Sequence, residues 1–236
     1  MTMASTEDFA GFPRQCSEFY AELARNNSKS WFDEHKNDYE QYVMVPARSF
    51  VFEMGKRLAE ISPKINADPR INKSIFRPYR DTRFSKDKTP YKTHLGIFFW
   101  EGKLPKMECS GFYFHVEPPV LFLGAGIHCF SPKLLDAYRQ SVVDPKEGPA
   151  LVKAVTKIRS KPGYSVGGRH YKKLPMGFQA EGLSAELLLH NGLFAGHEVN
   201  IPDDVYSHGI IDYCFGIFKE MVLVHRWLVR MTDRIG

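Results

Sequence analysis

The sequence has few cysteines, and no motif that would pair them or use them chemically. Its 236 residues include four cysteines, which lie far apart and form no Cys-x-x-Cys pair. This spacing excludes a disulfide-dense secreted scaffold and a cysteine-based zinc ribbon. We therefore expect reduced thiols, mostly buried as small apolar side chains, in a cytoplasmic protein.

Long apolar runs are also missing. The run 120-VLFLGAGI-127, among the longest, is too short to cross a bilayer. The first ten residues lack the cationic start and apolar stretch of a signal peptide. We therefore expect no membrane partner. The composition, 43% hydrophobic and 25% charged, is ordinary for a globular chain of this length.

Acidic residues are scarce in one segment, residues 70–94. The whole chain has 32 Lys and Arg against 27 Asp and Glu, a formal net charge of +5. This segment alone accounts for that excess, so the rest of the chain is close to neutral. Such a concentration of positive charge indicates an anionic partner better than it indicates general solubility. The segment contains the cations Arg70, Lys73, Arg77, Arg80, Arg83, Lys86, Lys88 and Lys92 and the acids Asp81 and Asp87.

Apolar periodicity predicts helices towards both ends of the chain and strands between them. Apolar residues recur at helical spacing near each end, whereas the middle is rich in aromatic and branched residues, which favour strands. Helices are predicted within 13–62 and at 132–142, 145–159, 183–190 and 203–233. Strands are predicted at 95–100, 109–116, 120–128 and 192–200, and 160–182 is predicted to be a loop. This order predicts a single α+β domain over residues 9–233, with a central, mainly antiparallel sheet flanked by N- and C-terminal helices.

The segment 76-FRPYRDTRFSKDKTPYKTH-94 is the candidate ligand site. Arginine binds phosphate or carboxylate through two parallel hydrogen bonds, and the tyrosines between the cations can stack or donate. Asp81 is expected to orient an arginine. The predicted partner is a phosphorylated small molecule or a nucleic acid. The predicted ligand contacts are Arg77, Tyr79, Arg80, Asp81, Arg83, Lys88, Tyr91 and Lys92.

Two other interpretations of this segment remain open. In the first, the protein is an enzyme acting on an anionic small molecule, with Asp81, Asp87 or His94 in acid–base roles. In the second, the cations are purely structural and pair with helix acids. The candidate helix acids are Asp33, Glu34 and Glu40. The sequence assigns no catalytic residue and leaves the oligomeric state open.

Two groups of residues have side chains that bind metals, but neither has a recognised spacing. His115 and Glu117 share a face of a predicted strand, and we expect His128 nearby on the paired strand. A second group could serve two-metal phosphoryl chemistry. It consists of Asp81, Asp87, Glu108 and Glu117, with His94. Without a recognised spacing, no metal ligand and no cofactor is assigned.

The segment 75-IFRPYRDTRFSKDKTPYKTH-94 resembles the signature of the family catalogued as domain of unknown function 2461. Residues 22–51, 114–140 and 174–194 also look like that family, so the resemblance covers roughly residues 9–225. The run Gln179-Ala180-Glu181-Gly182 departs from the more acidic, proline-containing run usual there. The resemblance implies a single α+β domain without a settled activity, and it carries over no catalytic residue.

Overall fold

Helices flank a five-stranded sheet in the computed structural model, which describes residues 9–235. The helices before the sheet are α1 (Arg14–Arg25), α2 (Lys29–Glu34), α3 (Lys36–Asp38) and α4 (Val45–Leu58), with a π-helical turn at Tyr39–Met44 between the last two. The later helices are α5 (Pro132–Val143), α6 (Glu147–Arg159), α7 (Gly182–Leu187) and α8 (Ile210–Asp233). Short 3₁₀ turns lie at Lys106–Glu108 and Asp203–Tyr206. The predicted α+β class is confirmed.

The sheet is antiparallel throughout. Its strands are β1 (Leu95–Glu101), β2 (Ser110–Glu117), β3 (Val120–Ile127), β4 (Tyr164–Arg169) and β5 (His190–Asn200). Their spatial order is β1-β2-β3-β5-β4. The predicted connection between β2 and β3 is present as Pro118 and Pro119, joined by a cis peptide bond. Three consecutive strands therefore form a meander that β5 and β4 extend.

The two faces of the sheet differ because strand side chains alternate. One face packs on the helices: Phe112 lies 5.2 Å from Phe218 of α8, and Phe114 lies 4.6 Å from Phe50 of α4, between ring centroids. The opposite face carries the side chains that alternate with these. We call it the open face and define it by Phe98, Tyr113, His115, Glu117, Phe122 and Phe194.

The helices begin where the sequence places starting signals. The Ser28 side chain accepts a hydrogen bond from the backbone of Trp31 at 3.3 Å, which caps α2. Pro132 stands in the first turn of α5, where proline removes no helical hydrogen bond. Pro46 does not start a separate helix, because the π-helical turn at Tyr39–Met44 runs directly into α4. In α1 the apolar residues recur at helical spacing and are buried: Cys16, Phe19, Tyr20 and Leu23.

Two predicted elements differ from the structure. Residues 160–182 are not all loop, because β4 pairs with the edge of β5 there. A register shift beside Gly168, whose φ is +108°, interrupts that short strand and hides its period-two pattern. The C-terminal helix begins at Ile210 rather than at 203, since a separate 3₁₀ turn occupies Asp203–Tyr206.

Within residues 9–235, no helix is both long enough and apolar enough to cross a membrane.

Candidate functional site

The positively charged segment folds back on itself as a short hairpin, which we call the basic hairpin (residues 77–94). The backbone N–H of Arg80 donates to the carbonyl of Pro90 at 2.9 Å, and the backbone N–H of Lys92 donates to the carbonyl of Pro78 at 2.8 Å. Tyr79 and Tyr91 face each other between these two bonds. Pro78 and Pro90 disfavour helix in the residues before them, which is consistent with extended arms.

Tyr91 fixes the basic hairpin to the N-terminal helices. Its side chain is only 1% exposed and stacks on Phe32, with ring centroids 4.1 Å apart. The Asn27 side chain donates to the Tyr91 carbonyl at 2.9 Å and accepts from the Tyr91 N–H at 3.0 Å. The Tyr91 side chain therefore belongs to the core, and the ligand contact predicted for it stays a prediction.

The hairpin arginines pair with acids of their own loop. Arg83 binds Asp81 through two hydrogen bonds of 3.0 and 2.7 Å, and Arg80 binds Asp87 and Thr89. These bonds lower the pKa of each aspartate to about 2. These pairs are local to the loop and do not reach the helix acids named above; Asp33 pairs with Lys29, and Glu40 pairs with Arg48. The structural interpretation is therefore wrong in that form.

The remaining predicted contacts lie in two places. Lys88 donates to the Thr82 carbonyl at 2.8 Å, within the hairpin loop, and Tyr79 is exposed beside it. Arg77 is exposed, whereas Lys92 is half-buried and lines a cavity. The pKa of Lys92 is lowered by burial and, to a lesser extent, by Arg77. Of the eight predicted contacts, Lys92 is therefore the one that joins the basic hairpin to a concave surface.

The cavity lies on the open face of the sheet and has a volume of about 900 Å³. Its floor is aromatic, because glycines on neighbouring strands leave room for rings to lie against the backbone. A Cβ on Gly196 would stand 2.8 Å from the Phe122 ring, and one on Gly111 would stand 2.6 Å from the Phe98 ring. The sequence signal for this floor is an aromatic residue on one strand beside a glycine on the next, and it becomes visible only once the strand register is known.

Three side chains that can bind a metal converge at one end of this cavity: His94, His115 and Glu117. One ligand atom from each lies within 4.8 Å of the other two. The two imidazole rings are 4.2 Å apart, and His115 Nε2 lies 3.4 Å from Glu117 Oε2. The β1–β2 register explains the cluster, since Leu95 stands opposite Val116 and Gly96 opposite His115. His94, just before β1, therefore comes into line with Glu117.

Neighbouring hydroxyl groups hold two members of this cluster. The Tyr113 hydroxyl lies 3.1 Å from His115 Nδ1, and Thr93 donates a hydrogen bond to Glu117 Oε1. Burial and the neighbouring His115 lower the pKa of His94 to about 4, and burial also lowers the pKa of His115. Partial burial favours the neutral form of Glu117, but the hydrogen bond from Thr93 and the neighbouring His94 and His115 outweigh it and lower the pKa of Glu117. At neutral pH the cluster is two uncharged imidazoles and one carboxylate.

The predicted metal and acid–base groups are only partly brought together. His128 follows β3 at the opposite end of that strand from the turn beside Glu117 and lies near Phe194, so its expected place beside His115 is wrong. Asp81 and Asp87 are held in loop ion pairs rather than beside His94. Glu108 accepts a hydrogen bond from Ser131 at 3.2 Å.

Comparison with known proteins gives one family. The model described as "Conserved hypothetical protein (DUF2461)" matches residues 15–227 of this chain. The match includes the basic hairpin, all five strands and the cavity, and it confirms the resemblance drawn from residues 75–94. No curated protein and no solved structure matches the chain.

Proposed function

Since the chain belongs to the DUF2461 family of conserved hypothetical proteins, we propose a function from the geometry of its cavity. The protein binds a small organic anion on the open face of the sheet. Lys92 holds the anionic group, and the aromatic floor holds the body of the ligand. The observation that carries this proposal is a half-buried lysine at an aromatic cavity wall, without an ion-pair partner among residues 9–235.

The shape of the cavity favours a small molecule over a nucleic acid. Its volume of about 900 Å³ lies within the range of roughly 300–1,000 Å³ that is usual for small-molecule sites. A nucleic acid requires a row of available cations along a surface. In the basic hairpin, Arg80 and Arg83 are engaged by Asp87 and Asp81. These pairs leave fewer charges for a phosphate backbone than the sequence alone indicates.

The charge at the cavity wall favours an anionic ligand. The Lys92 ammonium group lies 5.2 Å from the centre of the Phe76 ring, and that of Lys106 lies 4.4 Å from it. Lys106 also donates to the carbonyls of Asn72 and Lys73, so its hydrogen bonds are in use. Among residues 9–235, Lys92 has no such partner, and it is the cavity-lining cation best able to meet a carboxylate or phosphate.

Acid–base catalysis by a carboxylic acid is not favoured at this site. An acid that works near neutral pH needs a raised pKa. The pKa of Glu117, at the end of the cavity, is lowered, and those of Asp81 and Asp87 are about 2. The proposal is therefore binding, and it specifies no reaction.

The test is calorimetric titration with benzoate, phenyl phosphate and adenosine monophosphate, each beside its uncharged analogue: benzyl alcohol, phenol and adenosine. We expect the wild type to bind one or more of the anions and to bind the matched neutral compounds more weakly. The variant Lys92→Met should lower the anion affinity by about 10- to 100-fold, because a charge-assisted hydrogen bond is lost. The control variant Lys88→Met removes an exposed cation of the same hairpin and should bind like the wild type.

Two outcomes would contradict the proposal. Equal loss of affinity in Lys88→Met and Lys92→Met would locate the anion on the hairpin surface rather than in the cavity. Tight, salt-dependent binding of a single-stranded oligonucleotide, with no binding of the small anions, would indicate a nucleic-acid surface.

A further inference from the structure

We propose that His94, His115 and Glu117 form a binding site for one divalent first-row transition-metal ion. The site shares the cavity with the proposed anion but does not depend on it, because it consists of protein ligands only. No sequence spacing marks it, since it depends on the pairing of β1 with β2.

The geometry of the three side chains is close to that of a bound site. His115 Nε2 and Glu117 Oε2 are already 3.4 Å apart. Ligand bonds of roughly 2.0–2.2 Å place neighbouring donor atoms about 3–3.5 Å apart. All three ligand atoms lie within 4.8 Å of one another, so a movement of about an ångström brings them to the separation of a bound site. His94 stands at the start of β1, where one side chain can turn without disturbing the strand pairing.

The second line of support is the hydrogen bonding behind the ligands. Metal-binding histidines usually donate their other ring N–H to a fixed oxygen, and this partner orients the ring. The Tyr113 hydroxyl is in place for that bond, 3.1 Å from His115 Nδ1. Thr93 occupies Oε1 of Glu117 and leaves Oε2 directed at His115. A polar strand face with no ligand has no need to orient both groups towards one point.

The donor set defines the class of metal. Two imidazoles and one carboxylate suit zinc, cobalt, iron or manganese, whereas magnesium and calcium prefer ligand sets made of oxygen alone. Three protein ligands leave coordination positions open, and the cluster borders the cavity. Lys92 and His94 both line the cavity. A metal ion here and the Lys92 ammonium would therefore both border the space open to an anionic ligand.

The test uses metal alone, on the full chain, so that failure of the anion proposal does not affect it. Metal-free protein is titrated calorimetrically with Zn²⁺, Co²⁺ and Mn²⁺, and the Co²⁺ complex is followed by its visible absorption. We expect one ion per chain and a Co²⁺ spectrum typical of mixed nitrogen and oxygen ligands. The variant Glu117→Gln should weaken binding by more than about 100-fold, and Tyr113→Phe should weaken it by about 10- to 100-fold.

Two features of the variants separate loss of the metal site from loss of the fold. Glu117→Gln preserves the size of a side chain that is 47% exposed, so we expect it to fold; circular dichroism and the thermal midpoint check this. His128→Ala removes another histidine that lines the cavity, away from the cluster, and should leave Co²⁺ binding unchanged. Binding in Glu117→Gln equal to the wild type, or loss of binding in His128→Ala alone, would overturn the proposal. Absence of stoichiometric binding of all three ions to the wild type would also overturn it.

Discussion

Asn27 satisfies both backbone hydrogen-bonding groups of Tyr91, a residue 64 positions later in the chain. The side-chain amide thus takes the place of a neighbouring strand at this point. Tyr91 in turn stacks on Phe32 of α2, so one contact joins the N-terminal helices to the basic hairpin. The position of Lys92 at the cavity wall depends on this attachment, because Lys92 is the next residue.

Replacement of Asn27 should therefore destabilise the protein. Asn27→Asp retains an acceptor for the Tyr91 N–H but loses the donor to its carbonyl. We expect a loss of roughly 1–3 kcal/mol in the free energy of unfolding, because a part-buried polar group is left unpaired. Urea unfolding measures this change. Asn26→Ala, which removes an exposed bond to Glu22, is the control and should cost less. If both variants lowered the free energy of unfolding equally, the proposed role of Asn27 in holding Tyr91 would be contradicted.

Two helical glycines should respond to alanine in opposite directions. Gly216 lies within α8, and a Cβ there meets nothing within 4 Å. Gly216→Ala should raise the free energy of unfolding by about 0.5–1 kcal/mol, since alanine favours helix. In Gly55→Ala of α4, the new methyl group would stand 2.4 Å from the Cβ of Ala67, so we expect destabilisation. Chemical unfolding measures the change in the free energy of unfolding for each variant. A stabilising effect of Gly55→Ala would contradict the close contact of α4 with Ala67.

The buried His225 should make stability fall in acid. His225 is 0% exposed. The Ser110 hydroxyl lies 3.0 Å from its Nδ1, and the Glu101 carboxylate lies 3.2 Å from its Nε2. The Ser62 hydroxyl also contacts the ring. Burial lowers its pKa despite Glu101, while the bond to His225 lowers the pKa of Glu101. Both groups take up a proton more readily in the unfolded chain.

The stability that His225 contributes is therefore present above about pH 6.5 and is lost as the pH falls below that value. Between the unfolded and folded pKa values, the loss approaches about 1.4 kcal/mol per pH unit for each proton. Urea unfolding from pH 7.5 down to pH 5 tests this dependence. His225→Gln should be less stable than the wild type at the upper end, and the difference should shrink in acid. If the difference in unfolding free energy between His225→Gln and the wild type did not change with pH, this role of His225 would be contradicted. The control is His208→Gln, at an exposed histidine.

The ion pair between Arg83 and Asp81 should contribute little to folding. Both side chains are well exposed, and solvent screens such pairs. We expect the urea midpoint of Arg83→Ala to match that of the wild type within error. A large loss of stability would restore the interpretation that the hairpin cations hold the fold together.

Local sequence patterns predicted most elements of this fold but not their pairing. Aromatic and branched runs located β1, β2 and β3 to within about two residues, because such side chains favour strands. The period of two along a strand placed His115 and Glu117 on one face. It could not bring in His94, which depends on the register of β1 against β2. No local pattern indicates the bond of Asn27 to Tyr91, since the two residues are 64 positions apart.

The basic hairpin shows a different limit of sequence reasoning. Counting charges identified an unusual segment. In the structure Arg80 and Arg83 pair with nearby acids, Lys92 lines a cavity, and the other hairpin cations are exposed. Charge density alone cannot predict these pairs, because they depend on how the loop folds and on which acids then lie beside which cations. Asp81 and Asp87 are the acids that form these pairs.

The two faces of the sheet separate the residues that determine folding from those that shape the cavity. On β3, Leu121 and Leu123 face the helices, while Phe122 between them faces the cavity. A substitution at Phe122 therefore alters the wall that a ligand meets and leaves the helix-facing core in place. Related chains can diverge in what they bind at such alternate positions while keeping a common scaffold. Comparison of the two sets of positions among relatives should accordingly show two different rates of change.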